Sequence, residues 1–435
     1  MILAAYVLPH PPLAVPAVGR GREEEIKGTL SALSQAAQEI ASHAPETIIV
    51  ITPHSTVYAD YFHISPGELA TGDLSRFGAF DTQMELKYDR PLALEIARCA
   101  AKFDIPAGEQ GERDPSLDHG VTVPLHFINQ AFNNYKLVRI AQSGMSPAGH
   151  YRFGQAIAKA AKNIGRSIVL IASGDLSHKL SAEGPYGFAK EGPEFDKNIT
   201  QILASGDFPG LFKIPEALRE NAAECGYNSI MVLAGCLDGQ QVKPALLSYE
   251  GPFGVGYAVA SFKPKKEGPY QVLARQSLEH AVAEGTTLPL PDNLPEEMLN
   301  RKAGVFVSLH INGQLRGCIG TIAPTTDSIA GEIIQNAVSA GLNDFRFNPV
   351  TTDELPLLTY KVDVLAQPEV IADASQLDVK RYGVIVTSGP RRGLLLPNLD
   401  GIDTVEQQIA IASGKAGIPP GAQVQLERFE VVRHG

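Results

Sequence analysis

Up to about residue 262 the chain alternates two textures: short unbroken apolar runs, and longer segments in which apolar residues recur every three or four positions. The runs "ETIIVIT" (46–52), "YKLVRIA" (135–141) and "SIVLIAS" (167–173) lack the polar alternation of a half-exposed strand, so they read as strands buried on both faces. The periodic segments read as helices that cover a sheet. Residues 22–42 align Ile26, Leu30, Leu33, Ala37 and Ile40; residues 91–103 align Leu92, Ile96, Cys99 and Phe103; residues 152–165 align Phe153, Ile157 and Ala160. Strands and helices in alternation predict an α/β domain with a mainly parallel central sheet flanked by helices. Cys99, on an apolar helix face, is expected in the core.

Near residue 263 the texture changes. The charged, Pro- and Gly-bearing stretch "KPKKEGPYQ" interrupts periodicity, which predicts a first domain over 1–262, a linker over 263–267 and a second domain over 268–435. In the second domain "VFVSLHINGQLRGCIGTI" (305–322) is two strand-like runs about Asn312-Gly313, a strong hairpin signal because a type I′ turn needs positive φ at both central residues. A helix follows from Ser328 to Ala340, with Ile329, Ile333 and Ala337 on one face and Asp327 or Ser328 available as its cap. Strands over 358–366 and 382–388, a helix around Val405, Ile409 and Ala412, and a last strand-like run at 422–432 make this an α+β domain.

The chain has 435 residues, 44 % hydrophobic and 20 % charged, enough to bury two cores without covalent staples. Its formal charge of −11, with no basic cluster beyond "KPKK", argues against nucleic-acid and anionic-membrane surfaces and leaves small molecules or proteins as partners. Self-association is left open. The four cysteines are scattered and form no C-x-x-C pair, as in a reducing compartment. No basic segment precedes the first apolar run, and no apolar stretch reaches the roughly 18 residues of a membrane helix, so a cytoplasmic location is expected.

Histidines then change the picture. Three apolar runs end alike: "MILAAYVLPHPP" at His10, "IIVITPHS" at His54 and "SIVLIASGDLSH" at His178. His119 and His126 lie in "DPSLDHGVTVPLHF", a stretch that reads as loop-like. Ligands of open α/β sheets bind beyond the carboxyl ends of the strands. One histidine there reads as a hydrogen-bonded loop residue; three point to a shared crevice. Two imidazoles and a carboxylate on one face of an octahedron would leave adjacent metal positions open. Asp118, Asp175 and Glu224 are the candidate carboxylates, and Glu224, just before the apolar segment 226–235, reads equally well as compensation of a helix dipole. Cys225 beside it offers a thiolate to softer metals. His43 and His280 fall in polar, helix-like settings and carry no assigned role.

Taken in order, "PHPP", "TPHS", "DHG-x-x-x-P" (118–124), "SGDLSH" (173–178) and "ECGY" (224–227) resemble the class III extradiol dioxygenases of the LigB type, whose architecture the Memo proteins share. The resemblance covers residues 1–262. It implies Fe(II) held by His10, His54 and Glu224, with His119 and His178 as the acid/base pair, acting on a catechol-like aromatic and dioxygen. His178 is assigned as the base and His119 as the donor that steers bound oxygen, with the exchange of the two roles left open by the sequence, and His126 has no matching role. Memo-like relatives place a cysteine near the third-ligand position, so Cys225 keeps copper open in place of iron, and zinc with a bound water is a third alternative. The alternative function is a metal-holding scaffold without ring cleavage. Farther along, "LRGCIGT" (315–321) and "GIDTVEQQIAIASGKAGI" (401–418) resemble the AMME syndrome candidate-gene family, and this pairing of families implies a radical-SAM protein as partner. There Arg316 stands two residues from Cys318, where a guanidinium could lower a thiol pKa or anchor an anion. Alternatively, Gly317 and Gly320 serve close packing, Cys318 fills space and Arg316 makes a structural ion pair.

Overall fold

The computed structural model describes residues 1–265, 267–311, 314–399 and 401–435, and the chain separates into two units, 1–265 and 266–435. In the first unit β1 (Ile2–Leu8), β2 (Thr47–Thr52), β3 (Lys136–Ala141), β4 (Ile168–Ser173), β5 (Val242–Glu250) and β6 (Tyr257–Pro264) form one sheet in the order β5-β6-β1-β4-β2-β3. The strands β1, β4, β2 and β3 run parallel, and the hairpin β5-β6 closes one edge antiparallel. All residues of β2 and β4 are buried. That is the reason their sequences show no polar alternation: both faces carry a core.

The long helices are α1 (Lys27–His43), α2 (Arg90–Ala101), α3 (His119–Ala131), α4 (Pro147–Asn163), α5 (Glu191–Ser205) and α6 (Tyr227–Cys236). On one face Ala5, Val7, Ile49 and Ile51 pack with Leu92, Ile96 and Cys99 of α2, Phe153 and Ile157 of α4 and Ile230 of α6. On the other, Tyr6, Leu8, Ile48 and Val50 pack with Leu33 and Ile40 of α1 and Val121 and Leu125 of α3. Cys99 is buried as expected.

Three features depart from the sequence reading. The stretch around His119 and His126 is helix α3, with Pro124 inside it. Proline is disfavoured in a helix interior because it lacks the N–H that would bond the carbonyl four residues back, which is why the stretch read as loop. An unforeseen hairpin, Leu69–Leu74 with Ala79–Lys87, carries a turn Ser75–Phe77 at its tip. Finally, β6 runs through Lys263 and Pro264, which pair with Lys243 and Val242, so sheet occupies the start of the expected linker.

The second unit has helices and two antiparallel sheets. Strands β7 (Val305–Ile311), β8 (Gln314–Gly320), β9 (Thr359–Leu365), β10 (Glu369–Ile371), β11 (Gly383–Ser388), β12 (Arg391–Leu395), β13 (Gln425–Phe429) and β14 (Val431–His434) divide into sheets ordered β8-β7-β9-β14 and β10-β13-β11-β12. Helices α7 (Pro269–Glu284) and α8 (Ile329–Leu342) bury Leu273, Leu278, Ile333 and Ala337 against the first sheet, and α9 (Val405–Lys415) buries Ala412 against the second. Ser328 caps α8 through the Gly331 amide. Asn312 and Gly313, read as the hairpin turn, lie outside the described residues; β7 and β8 on either side pair antiparallel. The run 422–432 is two strands in different sheets, separated at Glu430.

Candidate metal centre

Sheet order decides which residues meet. β4 lies between β1 and β2, with Leu8 level with Ser173 and Ile51 level with Ala172. His10 and His54, each two residues past its strand, therefore reach toward each other over the end of β4. Their Nε2 atoms are 2.9 Å apart. His119, the first residue of α3, stacks on His54 with ring centroids 4.1 Å apart and meets His10 edge-on at 5.2 Å. One ligand atom from each of His10, His54 and His119 lies within 4.8 Å of the other two.

Hydrogen bonds set the tautomer of His10. Ser173 Oγ donates to the Gly120 carbonyl, so it must accept from His10 Nδ1, 2.9 Å away. His10 thus carries its proton on Nδ1 and turns a bare Nε2 into the cluster, as a metal-ligating imidazole does. Pro124 is the origin of this relay. Its missing N–H leaves Gly120 O, four residues earlier in α3, free for Ser173. Gly120 itself has no room for a side chain, since a Cβ would stand 2.4 Å from Thr52 Oγ1. The same Thr52 hydroxyl donates to Asp118 Oδ1 at 2.6 Å and accepts the His54 amide at 3.2 Å. The "DHG-x-x-x-P" pattern is therefore a single device that orients two histidines.

Burial drives the imidazoles toward neutrality. It pushes His10 well below its ordinary pKa and His54 down to about 4, reinforced in each by neighbouring histidines, and lowers His119 and His178. Neutral imidazole is the form that ligates.

Glu224 is not in this group among the described residues, contrary to the ligand set implied by the resemblance. Its carboxylate accepts the Tyr227 amide at 2.6 Å, the first N–H of α6, and burial pushes its pKa up to about 7. The helix-end reading of Glu224 describes this geometry, because the opening N–H groups of a helix have no partner within it. His119, expected as acid/base, stands in the third position. Cys225 places its thiol 3.7 Å from His10 Nε2. Asp175 Oδ1 accepts the His10 amide at 2.9 Å, and Oδ2 lies 4.0 Å from His10 Nε2. Ser173 and Gly120 O are functional partners that the sequence did not single out; the glycine and proline spacing in α3 was the available signal. His178 Nδ1 is buried, and its ring meets Tyr186 edge-on at 5.1 Å. His126 bonds Gln130 one helical turn on, away from the cluster.

Three imidazoles fit a first-row transition metal. With bonds of about 2.1 Å, two nitrogens at right angles about one ion would stand about 3 Å apart, close to the spacing of the His10 and His54 Nε2 atoms. A cavity of about 550 Å³ opens beside His54 and His119, bordered by Arg76, Phe77, Asp114 and Asp118. In the C-terminal unit the sequence-predicted pair separates. Arg316 turns to Glu354 with bonds of 2.8 and 3.0 Å, while Cys318 receives Ser308 Oγ at 3.2 Å. The glycines beside it serve packing: a Cβ on Gly317 would stand 2.1 Å from Ala340 O.

The comparisons agree with this division. Residues 4–260 match the family described as the catalytic LigB subunit of aromatic ring-opening dioxygenase, and residues 271–434 match AMMECR1. A Clostridium acetobutylicum protein is 43 % identical over 99 % of this chain and 98 % of its own. A Thermotoga maritima protein is 48 % identical over 39 % of this chain and 98 % of its own. Among solved structures, an uncharacterised Pyrococcus horikoshii protein is 31 % identical over 39 % of this chain and 91 % of its own, with a TM-score of 0.36. An uncharacterised Escherichia coli K12 protein is 17 % identical over 60 % of this chain and 99 % of its own, with a TM-score of 0.41. The chain thus belongs to the LigB family of aromatic ring-opening dioxygenase catalytic subunits, joined to a C-terminal domain of the AMMECR1 family.

Proposed function

We propose that the N-terminal domain opens the ring of a catechol-like aromatic with dioxygen, using Fe(II) held by His10, His54 and His119. The convergence of three neutral imidazoles on one point at the carboxyl end of a parallel sheet carries this reading. When bound, ferrous iron supplies Lewis acidity toward the substrate hydroxyls and the electrons that dioxygen activation requires. The rest is the work of the chain. Ser173 keeps His10 in its ligating tautomer. The cavity next to His54 and His119 has the volume of a small-molecule site, and Phe77, whose ring meets that of His119 at 5.3 Å, offers an edge for an aromatic ring. His178, held toward neutrality by burial, is the base that takes a hydroxyl proton and later returns it.

The test is anaerobic loading with Fe(II), followed by oxygen uptake over a panel of catechols. Wild type is expected to consume oxygen with at least one of them; His178→Ala is expected to retain iron and lose turnover. No uptake by iron-replete wild type across the panel would refute ring opening. Cys225 favours a second reading, since a thiol 3.7 Å from His10 Nε2 adds a soft donor suited to copper in a protein that holds metal without turnover. Copper retained after purification, with no oxygen consumed, would favour it.

A further inference from the structure

One residue breaks the apolar run of β3. Arg139 lies between Val138 and Ile140, both buried, and its own side chain is 1 % exposed. A guanidinium taken out of water is costly unless its N–H groups are met, and the partners that meet this one show what it holds. Nε donates to Ser65 Oγ at 2.5 Å, and the Ser65 amide donates back to the Arg139 carbonyl at 3.0 Å, so this end is fixed on the strand itself. The other three bonds go to a single segment: Nη1 to the Ser116 carbonyl at 2.6 Å, and Nη2 to the Asp114 carbonyl and to Glu112 Oε2, each at 3.0 Å.

That segment leads into His119, the first residue of α3. From Pro106 to Ser116 no residue is buried, so apolar packing does not fix its course. Leu117 and Asp118, just before the helix, have contacts of their own with Gly72 and Thr52. Upstream of them Arg139 supplies three charge-assisted bonds from the central sheet, two of them to backbone carbonyls that no side-chain rotation can carry away. Among the described residues its side chain makes no hydrogen bond to β1 or β2, the strands that lead to His10 and His54.

We propose that Arg139 is a positioning residue for the metal centre: by clamping residues 112–116 to β3 it sets where His119 enters the cluster. The inference rests on the three-histidine assignment above. Lysine at this position keeps the positive charge but, with a single nitrogen, gives up the planar fork that meets two carbonyls at once. Arg139→Lys therefore separates the clamp from the charge.

A double-mutant cycle on the full-length protein tests this, with Fe(II) alone as the probe and affinity read by anaerobic chelator competition. Arg139→Lys is expected to weaken Fe(II) binding about tenfold, the scale for loss of an outer partner of a metal ligand, and by less than about twofold when His119 is already alanine. Near-ultraviolet dichroism of each variant checks that it is folded. If Arg139→Lys is not, Ser65→Ala takes its place in the same cycle; it leaves the cation and removes the Nε acceptor, with an expected loss of about threefold that again vanishes in His119→Ala. Unchanged affinity in the folded variant, or a loss of equal size in both backgrounds, would overturn the proposal. A His119→Ala variant that binds iron like wild type would instead overturn the three-histidine assignment on which it stands.

Discussion

Removing the Glu224 carboxylate separates the ligand set implied by family resemblance from the one the geometry assembles. If iron is held by His10, His54 and Glu224, then Glu224→Gln discards a charged ligand and metal affinity collapses. In the structure that carboxylate holds the first amide of α6, and its raised pKa, about 7, means that the neutral form is already substantially populated at neutral pH. Glutamine keeps an acceptor oxygen at the same reach. Its expected cost is below about 1 kcal/mol in stability, the scale of weakening one helix-end bond. Glu224→Ala leaves the buried Tyr227 amide unsatisfied and should cost about 1–3 kcal/mol. Neither substitution touches the three imidazoles, so metal affinity should stay within a few-fold of wild type. His119→Ala removes a donor and should weaken binding by more than the roughly 10–100-fold that follows loss of an outer partner. Chelator competition on anaerobically loaded protein gives the affinities, and urea unfolding of the metal-free forms gives the stabilities. A glutamine variant that releases iron as readily as His54→Ala, beside a His119→Ala variant that keeps it, would refute the three-histidine assignment.

Two further substitutions probe the surroundings. Pro124→Ala supplies an N–H that competes with Ser173 for Gly120 O and releases Ser173 to donate to His10 Nδ1; metal affinity should drop about 10–100-fold while chelator-treated protein melts no earlier than wild type. A fall in both by a common cause, general loosening, would show as lost near-ultraviolet dichroism and count against the relay. His150 in α4 accepts the Ser143 amide on Nε2, and its Nδ1 lies 3.1 Å from Ser146 O, so protonation would set two donors face to face. Burial accordingly pushes its pKa down to about 4. A depressed pKa contributes stability that is fully present above the unfolded value near 6.5 and is lost as pH falls through about 4. About 2–3 kcal/mol should disappear between pH 7.5 and pH 4.5. Urea unfolding of wild type and His150→Asn at both pH values checks it, and an unchanged difference between the two proteins would contradict the burial argument.

How far the sequence carried depends on the kind of signal. Unbroken apolar runs mark β2, β3 and β4 because the sheet is covered on both sides, and the histidines that follow the runs are legible because strand ends are where side chains leave the core. Helix α3 was hidden by Pro124, whose local preference is overridden by burial of Val121, Leu125 and Ile128. The third member of the histidine cluster was hidden for a different reason. Glu224 and His119 are each chemically suitable, and only the close approach of α3 to the end of β2 decides which one reaches the cluster. In the C-terminal domain Arg316 stood near Cys318 in sequence, but alternate residues of a strand share a face only while neither is drawn away by a stronger partner, here Glu354. Arg346, distant in sequence, bonds the Cys318 carbonyl instead.

The loop after β4 meets the segment before α6 backbone to backbone: a methyl on Gly174 would sit 2.1 Å from the Gly226 Cα, whereas one on Gly226 would find its nearest atom 3.0 Å away. Any variant that plants a side chain at the first position must push apart stretches of chain some fifty residues distant in sequence, carrying Asp175 and Cys225 with them. Laboratory diversification aimed at new reactivity should hold Gly174 fixed and spend its libraries on the rim of the cavity, where Arg76 and Phe77 can change without moving the floor.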